Sequence, residues 1–275
     1  MVDHSQPLHK RRPGFGQQDL YRLGCLLAHA QQGEQVLTDT CANYPRMYRR
    51  INGALVKSAT LSCPDIARLG LYGDDPYHIE ESQQDDFHLY GASNQAFAGL
   101  DSSQWRSVVG FVLQMALSSQ LSTGQVLLRL HWIAARLTTL PYAGWAEELP
   151  NLAAEYEPSI ACSEPILKRF IAAEMTRTGF PFISSTSAVV DYGVSLTEWA
   201  TTLAIQTLTL RYLLLAHCDA HAQQAPDPQK TVDLVYRFCR AANHNAVTAS
   251  ERTLRNAIGE RGPAYLCALI AQIEV

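Results

Sequence analysis

The sequence predicts a mainly α protein, a multi-helix bundle preceded by a small N-terminal module that contains cysteines. Two observations indicate this architecture. Apolar residues recur with helical periodicity in several long segments after residue 100. Three of the seven cysteines of this 275-residue chain fall in its first quarter. We therefore expect a cysteine module over residues 1–80 and a helical bundle domain over residues 81–275.

The composition is that of an ordinary globular protein, with 47% hydrophobic and 17% charged residues. The 22 basic and 26 acidic residues nearly balance, which argues against nucleic acid or an anionic membrane as a partner. The first twenty residues lack the continuous apolar run of a signal peptide, so we expect a cytoplasmic location. The most apolar stretch, 199–216, contains several threonines and Arg211 and predicts a buried helix rather than a membrane span.

The N-terminal module presents its three thiols from different local structures. Apolar spacing over residues 19–33 predicts a short helix that carries Cys25. Cys41 follows in a turn-rich segment, where Pro45 disfavours helical backbone at the preceding residue. Asn52-Gly53 is a hairpin dipeptide before an extended run over 54–61, and Pro64 begins a helix directly after Cys63.

Beyond this module the sequence predicts a polar linker and then a series of helices. Residues 73–100 are rich in acidic side chains and poor in aliphatic ones, which favours a linker or loop. Ser122 and the Ser195 to Glu198 capping-box pattern are expected helix starts. The helices are predicted over 104–120, 124–140, 165–178, 196–222 and 231–243. Three tryptophans in this part of the chain, Trp132, Trp145 and Trp199, are predicted to anchor the core.

Cys25, Cys41 and Cys63 are candidate metal ligands. Thiolates bind iron–sulfur clusters and zinc, but three cysteines are one short of the usual set of four. From spacing alone, ordinary buried thiols explain them about equally well. The remaining cysteines, Cys162, Cys218, Cys239 and Cys267, lie in or beside apolar segments and are predicted to be core residues.

Two further groups are candidates for binding a cofactor. Arg46 follows Tyr44-Pro45, where its guanidinium either faces a cluster or a cofactor carboxylate or pairs with a neighbouring acid in a turn. Arg240 and His244 are four residues apart, so a continuous helix places them on one face, where they would meet an anionic ligand or move a proton. A helix that ends at Asn243 would instead make them a polar C-terminal cap.

Other catalytic classes lack their motifs. No glycine-rich phosphate loop or Gly-x-Gly fingerprint follows a predicted strand, so a Rossmann nucleotide site is not supported. No Gly-x-Ser-x-Gly elbow supports a hydrolase.

The chain resembles the flagellin lysine-N-methylase family at both ends. The N-terminal likeness comprises Arg22-Leu23-Gly24-Cys25, Thr40-Cys41-x-x-Tyr44-Pro45-Arg46 and Leu61-Ser62-Cys63-Pro64-Asp65-Ile66-Ala67-Arg68. The C-terminal likeness comprises residues 210–216 and 234–245, which carry the Arg and His-Asn elements. Residues 75–195 match only in helical character.

The resemblance implies a 4Fe-4S cluster on the N-terminal cysteines and S-adenosylmethionine as the methyl donor. It also implies flagellin, or another protein, as the partner whose lysines are methylated. Members of the family carry further cysteines before this region, and none precedes Cys25 here. Three explanations stay open: a coding start upstream of Met1, a degenerate homologue that has lost the cluster and acts as a non-catalytic helical binding module, or a missing ligand supplied by a partner or second copy.

Overall fold

The computed structural model describes residues 44–81, 94–154, 165–183, 195–221 and 227–244, together with six positions between 256 and 269. The chain divides into two compact units, Met1–Tyr44 and Pro45–Val275. The second unit is mainly helical, as predicted, and contains a small sheet. The predicted helix around Cys25 and the turn around Cys41 lie outside the described residues.

A β-hairpin opens the second unit. Strands β1 (Arg46–Ile51) and β2 (Ala54–Ala59) pair in antiparallel fashion around Asn52 and Gly53. Both turn residues have positive φ, 47° and 85°, which is the conformation that Asn-Gly favours and that matches the strand twist. The hairpin dipeptide and the extended run after it are thus confirmed, whereas β1 itself was not predicted.

A third strand joins the hairpin from the segment predicted as a linker. Strand β3 (Asn94–Gln95) pairs in parallel with β1, so the sheet order is β2-β1-β3. Asn52 fixes this region because its side chain accepts a hydrogen bond from Phe97 N at 2.7 Å and donates one to Leu100 O at 2.6 Å. Residues 94–100 therefore pack against the hairpin, whereas residues 73–81 form a loop, which is one of the two structures predicted for this segment.

Seven α-helices have defined bounds in the described residues. They are α1 (Pro64–Tyr72), α2 (Ser102–Leu117), α3 (Thr123–Leu137), α4 (Trp145–Ala154), α5 (Pro165–Thr178), α6 (Leu196–Ala220) and α7 (Pro228–His244). Ser122 and Ser195 precede α3 and α6, as expected, and form capping boxes with Gln125 and Glu198. The capping box was predicted for Ser195 and not for Ser122. The predicted bounds of α2, α3, α6 and α7 differ from the observed ones by two to three residues at one or both ends, and α4 was not predicted.

Helix α5 is the centre of the packing. It contacts α1, α2, α3, α6 and β2, and most of its residues are buried. Trp145 and Trp199 are 2% and 3% exposed, which confirms them as core anchors, and Cys218 and Cys239 are also buried. Cys162 and Cys267 lie outside the described residues.

The prediction for Trp132 is wrong, because its side chain is 38% exposed. Leu130, Ile133 and Leu137 form the buried stripe of α3, and Trp132 lies off this stripe. The Arg136 guanidinium lies over the indole ring, 5.6 Å from its centroid. Within the described residues, no helix has both the length and the apolar character needed to cross a membrane.

Candidate functional site

Cys63 is the predicted metal ligand that the structure describes. It is the residue that precedes α1, its thiol is free and half-buried, and its side chain makes no capping hydrogen bond. Pro64 follows at the first helical position, as the sequence predicted. Cys25 and Cys41 lie outside the described residues, so the structure does not test whether the three sulfurs converge.

The position of Cys63 suits an anionic metal centre. The first turn of a helix has N–H groups without helical partners, and the helix dipole favours negative charge there. A cluster ligated by thiolates carries such charge. In the described part of the chain, no group of three or more His, Cys, Asp or Glu side chains is arranged to hold a metal ion. As a metal ligand, Cys63 would need partners from outside the described residues.

The predicted cofactor-binding residues lie on two separate elements. Arg46 is exposed at the start of β1, and Arg240 is half-buried in α7. Helix α7 continues to His244, so Arg240 and His244 are one turn apart in its last turn. Strand β1 and helix α7 do not pack extensively against each other. The geometry therefore pairs Arg240 with His244 by helical position and does not place Arg46 beside them.

A cleft of about 1000 Å³ lies among the described residues. Its walls come from β2, α1, the segment 73–81, α2 and α5. All six residues of β2 line it, along with apolar side chains of the helices. A cleft of this size accommodates a ligand with the volume of a short peptide or a large cofactor.

The cleft is lined by residues that carry buried polar atoms without a hydrogen-bond partner among the described residues. Two of these atoms are Ser58 Oγ and Trp105 Nε1, and Trp105 is only 6% exposed. A buried donor without a partner costs about 1–3 kcal/mol, so such groups are usually satisfied by water or by a ligand. This makes the cleft a better candidate for ligand binding than its apolar lining alone would.

The rim of the cleft is acidic. Asp74, Asp75 and Glu80 are exposed carboxylates on the segment 73–81. Glu81 accepts two hydrogen bonds from the Arg106 guanidinium, each at 2.9 Å, and this pairing lowers the pKa of Glu81. The Arg106 charge is therefore largely offset by its partner, and the rim keeps its negative character.

Arg49 joins the hairpin to the C-terminal end of α5. Its guanidinium donates to the backbone carbonyls of Arg177 and Thr178, which are in the last turn of the helix. Those carbonyls lack helical partners and carry the negative end of the helix dipole. A guanidinium there supplies the missing hydrogen bonds and also interacts favourably with the dipole. The contact fixes the wall of the cleft where β1 and β2 meet α5.

A buried ion pair lies within α5. Arg177 Nε donates to Glu174 Oε2 at 2.8 Å, and both side chains are 4% exposed. The other carboxylate oxygen, Oε1, has no hydrogen-bond partner among the described residues. Burial, with a smaller contribution from the nearby Glu174 charge, raises the pKa of the Cys239 thiol. Glu174 does not line the cleft, so we interpret this pair as structural.

Tyr77 and Arg169 hold the segment 73–81 in place through hydrogen bonds. Its hydroxyl donates to Arg169 O at 2.8 Å, and burial raises the pKa of the phenol above its usual range. Arg169 in turn donates to Leu71 O at 2.9 Å and to Gly73 O at 2.7 Å, which caps the end of α1. The segment is thereby held against α1 and α5, and its carboxylates are presented along the cleft.

Sequence reasoning missed this cleft, although one signal for it was visible. The Asn52-Gly53 turn indicated a strand over 54–61, and an edge strand is a common binding element. The acidic segment 73–81 was visible too but was interpreted as a linker.

Comparison with protein-family models, with curated proteins and with solved structures finds no significant match to this chain.

Proposed function

We propose that the protein is an S-adenosylmethionine-dependent protein-lysine N-methyltransferase that acts on flagellin and depends on an iron–sulfur cluster. The proposal rests on the three cysteine motifs, and the observation that carries it is the free, half-buried thiol of Cys63 at the N-terminal end of α1. A cytoplasmic location, where flagellin is available before export, is part of the proposal.

Cys25, Cys41 and Cys63 would hold the 4Fe-4S cluster, with Cys63 backed by the N–H groups of the first turn of α1. The cluster would supply iron that helps to bind or activate S-adenosylmethionine. Arg46, Arg240 and His244 are the residues that we propose for the anionic parts of this cofactor. Arg240 and His244 would act together because one helical turn separates them.

Methyl transfer also requires a neutral lysine, because an ammonium group has no lone pair with which to attack a methyl group. Enclosure in an apolar site lowers the pKa of a lysine and favours the neutral form. The cleft provides such apolar surroundings through α1, α2 and α5.

The test combines metal analysis with an activity assay. We expect stoichiometric iron and acid-labile sulfide in anaerobically reconstituted protein, and their loss in Cys41→Ala and Cys63→Ser. Cys239→Ser is the control, since this thiol is buried in the core of the described unit. The reconstituted protein should transfer labelled methyl groups from S-adenosylmethionine to flagellin. A complete cluster without any methyl transfer would overturn the methyltransferase proposal.

The alternative is a non-catalytic, truncated homologue that acts as a helical protein-binding module. The observation that favours it is the cleft itself, which is bordered by an edge strand and needs no metal. A metal-free protein that stays folded after reconstitution, and binds flagellin without modifying it, would support this alternative.

A further inference from the structure

Strand β2 is at the edge of its sheet, because the strand order in the described residues is β2-β1-β3. Ile51 and Ala54 flank the two-residue turn and therefore form a hydrogen-bonded pair. Pairs alternate from there along the ladder, so Leu55 and Ala59 belong to the non-hydrogen-bonded pairs. Their backbone N–H and C=O groups consequently point away from β1.

This outward edge borders the cleft. Leu55 and Ala59 both line it, and neither makes a backbone hydrogen bond to any other described element. Trp105 also lines the cleft, and its indole N–H lacks a partner among the described residues. A strand edge with outward backbone groups beside a cleft is the arrangement by which proteins bind an extended polypeptide as an added strand.

The charges around the cleft select the kind of segment that fits. Asp74, Asp75 and Glu80 contribute three exposed carboxylates, and Lys57 contributes one exposed ammonium on β2. The other basic side chains of the cleft have partners: Arg106 pairs with Glu81, and Arg49 donates to the carbonyls that end α5. The third is His78, whose Nδ1 lies 3.7 Å from Asp75 Oδ2. Electrostatic complementarity therefore favours a basic ligand over an acidic one.

We propose that the cleft binds an extended, basic polypeptide segment, which adds to β2 as a further strand and places its cationic side chains against Asp74, Asp75 and Glu80. The outward backbone groups of Leu55 and Ala59 supply main-chain hydrogen bonds, and the apolar helices receive alternate side chains. The proposal requires neither the cluster nor S-adenosylmethionine, so it stands or falls separately from the proposed methyl transfer.

The first experiment uses fluorescein-labelled peptides of about eight residues, the length that spans a typical strand. One peptide alternates lysine with valine, a second alternates glutamate with valine, and a third repeats the lysine peptide with alternate backbone nitrogens methylated. We expect the full chain to bind the lysine peptide in fluorescence anisotropy. The glutamate peptide should bind at least about tenfold more weakly, and so should the methylated peptide, which loses main-chain donors.

The second experiment changes the protein at the strand edge. Leu55→Pro removes an outward N–H without removing a bond of the hairpin ladder, because Leu55 belongs to a non-hydrogen-bonded pair. It should weaken binding of the lysine peptide about tenfold, whereas the matched control Leu55→Ala keeps the N–H and should bind nearly as wild type. Asp74→Asn combined with Asp75→Asn should weaken binding and reduce its salt dependence.

Three results would overturn the proposal. They are absence of binding to the lysine peptide, equal binding of the lysine and glutamate peptides, and binding that is unaffected by backbone methylation. The last result would show attraction by charge without strand addition. Because the methylated peptide is tested on the wild-type protein, the outcome does not depend on whether Leu55→Pro folds.

Discussion

Arg49 and Gly179 lie in direct contact, and the Arg49 guanidinium fills the space that a Cβ at position 179 would occupy. Gly179 follows α5 with φ of 79°, the left-handed conformation that ends many helices. The same guanidinium donates to the carbonyls of Arg177 and Thr178. One glycine thus lets the hairpin reach the end of the central helix.

Gly179→Ala should therefore destabilise the protein for two reasons, a strained backbone and a displaced Arg49. We expect the free energy of unfolding to fall by about 2–4 kcal/mol, measured by urea denaturation. Gly110→Ala is the matched control, because a Cβ there meets no atom within 4 Å and the residue is inside α2. That substitution should raise the free energy of unfolding by up to about 1 kcal/mol. Equal effects of the two substitutions would contradict the role of the Arg49 contact.

The buried pair of Glu174 and Arg177 predicts a strongly non-additive mutant cycle. Arg177→Met leaves a carboxylate buried without its partner, so it should lower the free energy of unfolding by about 3–5 kcal/mol. Replacement of both residues by Met should cost clearly less than the sum of the two single substitutions. Arg68→Met is the control, since Arg68 and Asp65 form a pair with side chains 54% and 81% exposed. We expect that change to stay within about 0.5 kcal/mol.

Burial makes the stability of the protein depend on the ionisation of His131. It lowers the pKa of this imidazole from its ordinary value of 6.5. The unfolded chain then takes up a proton before the folded chain does. Stability from the neutral His131 is fully present above about pH 6.5 and is lost as the pH falls from there towards the folded-state pKa. His131→Gln should therefore flatten the pH dependence of the urea midpoint between about pH 7 and pH 5. An unchanged slope would mean that this imidazole does not contribute.

Features encoded by neighbouring residues were predictable from the sequence. The Asn52-Gly53 turn and the capping boxes of Ser122 and Ser195 each depend on two to four consecutive residues. The placement of Cys63 directly before a helix that starts at Pro64 was predictable for the same reason.

Features that depend on distant contacts were not predictable. Strand β3 pairs with β1 across more than forty residues, and its own two residues carry no strand signal. The walls of the cleft come from β2, α1, α2 and α5, which are distant from one another in the sequence, so no local sequence pattern predicts the cleft. Tyr77 is half-buried and donates a hydrogen bond to Arg169, ninety-two positions later, although its neighbours are polar and its segment had the composition of a linker. Tertiary packing in each case outweighs the local composition.

The thiols of Cys63 and Cys239 should differ sharply in their reactivity towards an alkylating reagent. Cys239 is 1% exposed and burial raises its pKa, so it should resist alkylation by iodoacetamide until the protein unfolds. Cys63 is half-buried at the start of α1 and its side chain makes no capping hydrogen bond, so it should be modified in the native, metal-free protein. Peptide mapping by mass spectrometry measures both.

Reconstitution with iron and sulfide extends this measurement to the proposed cluster. If Cys63 is a ligand, alkylation at this position should fall strongly after reconstitution and recover when the iron is removed with a chelator, because a coordinated thiolate is not available to the reagent. Cys239 serves as the internal control, since its protection comes from burial and should not change with iron. Full alkylation of Cys63 in protein that contains stoichiometric cluster would exclude it as a ligand and would remove the structural support for the methyltransferase proposal.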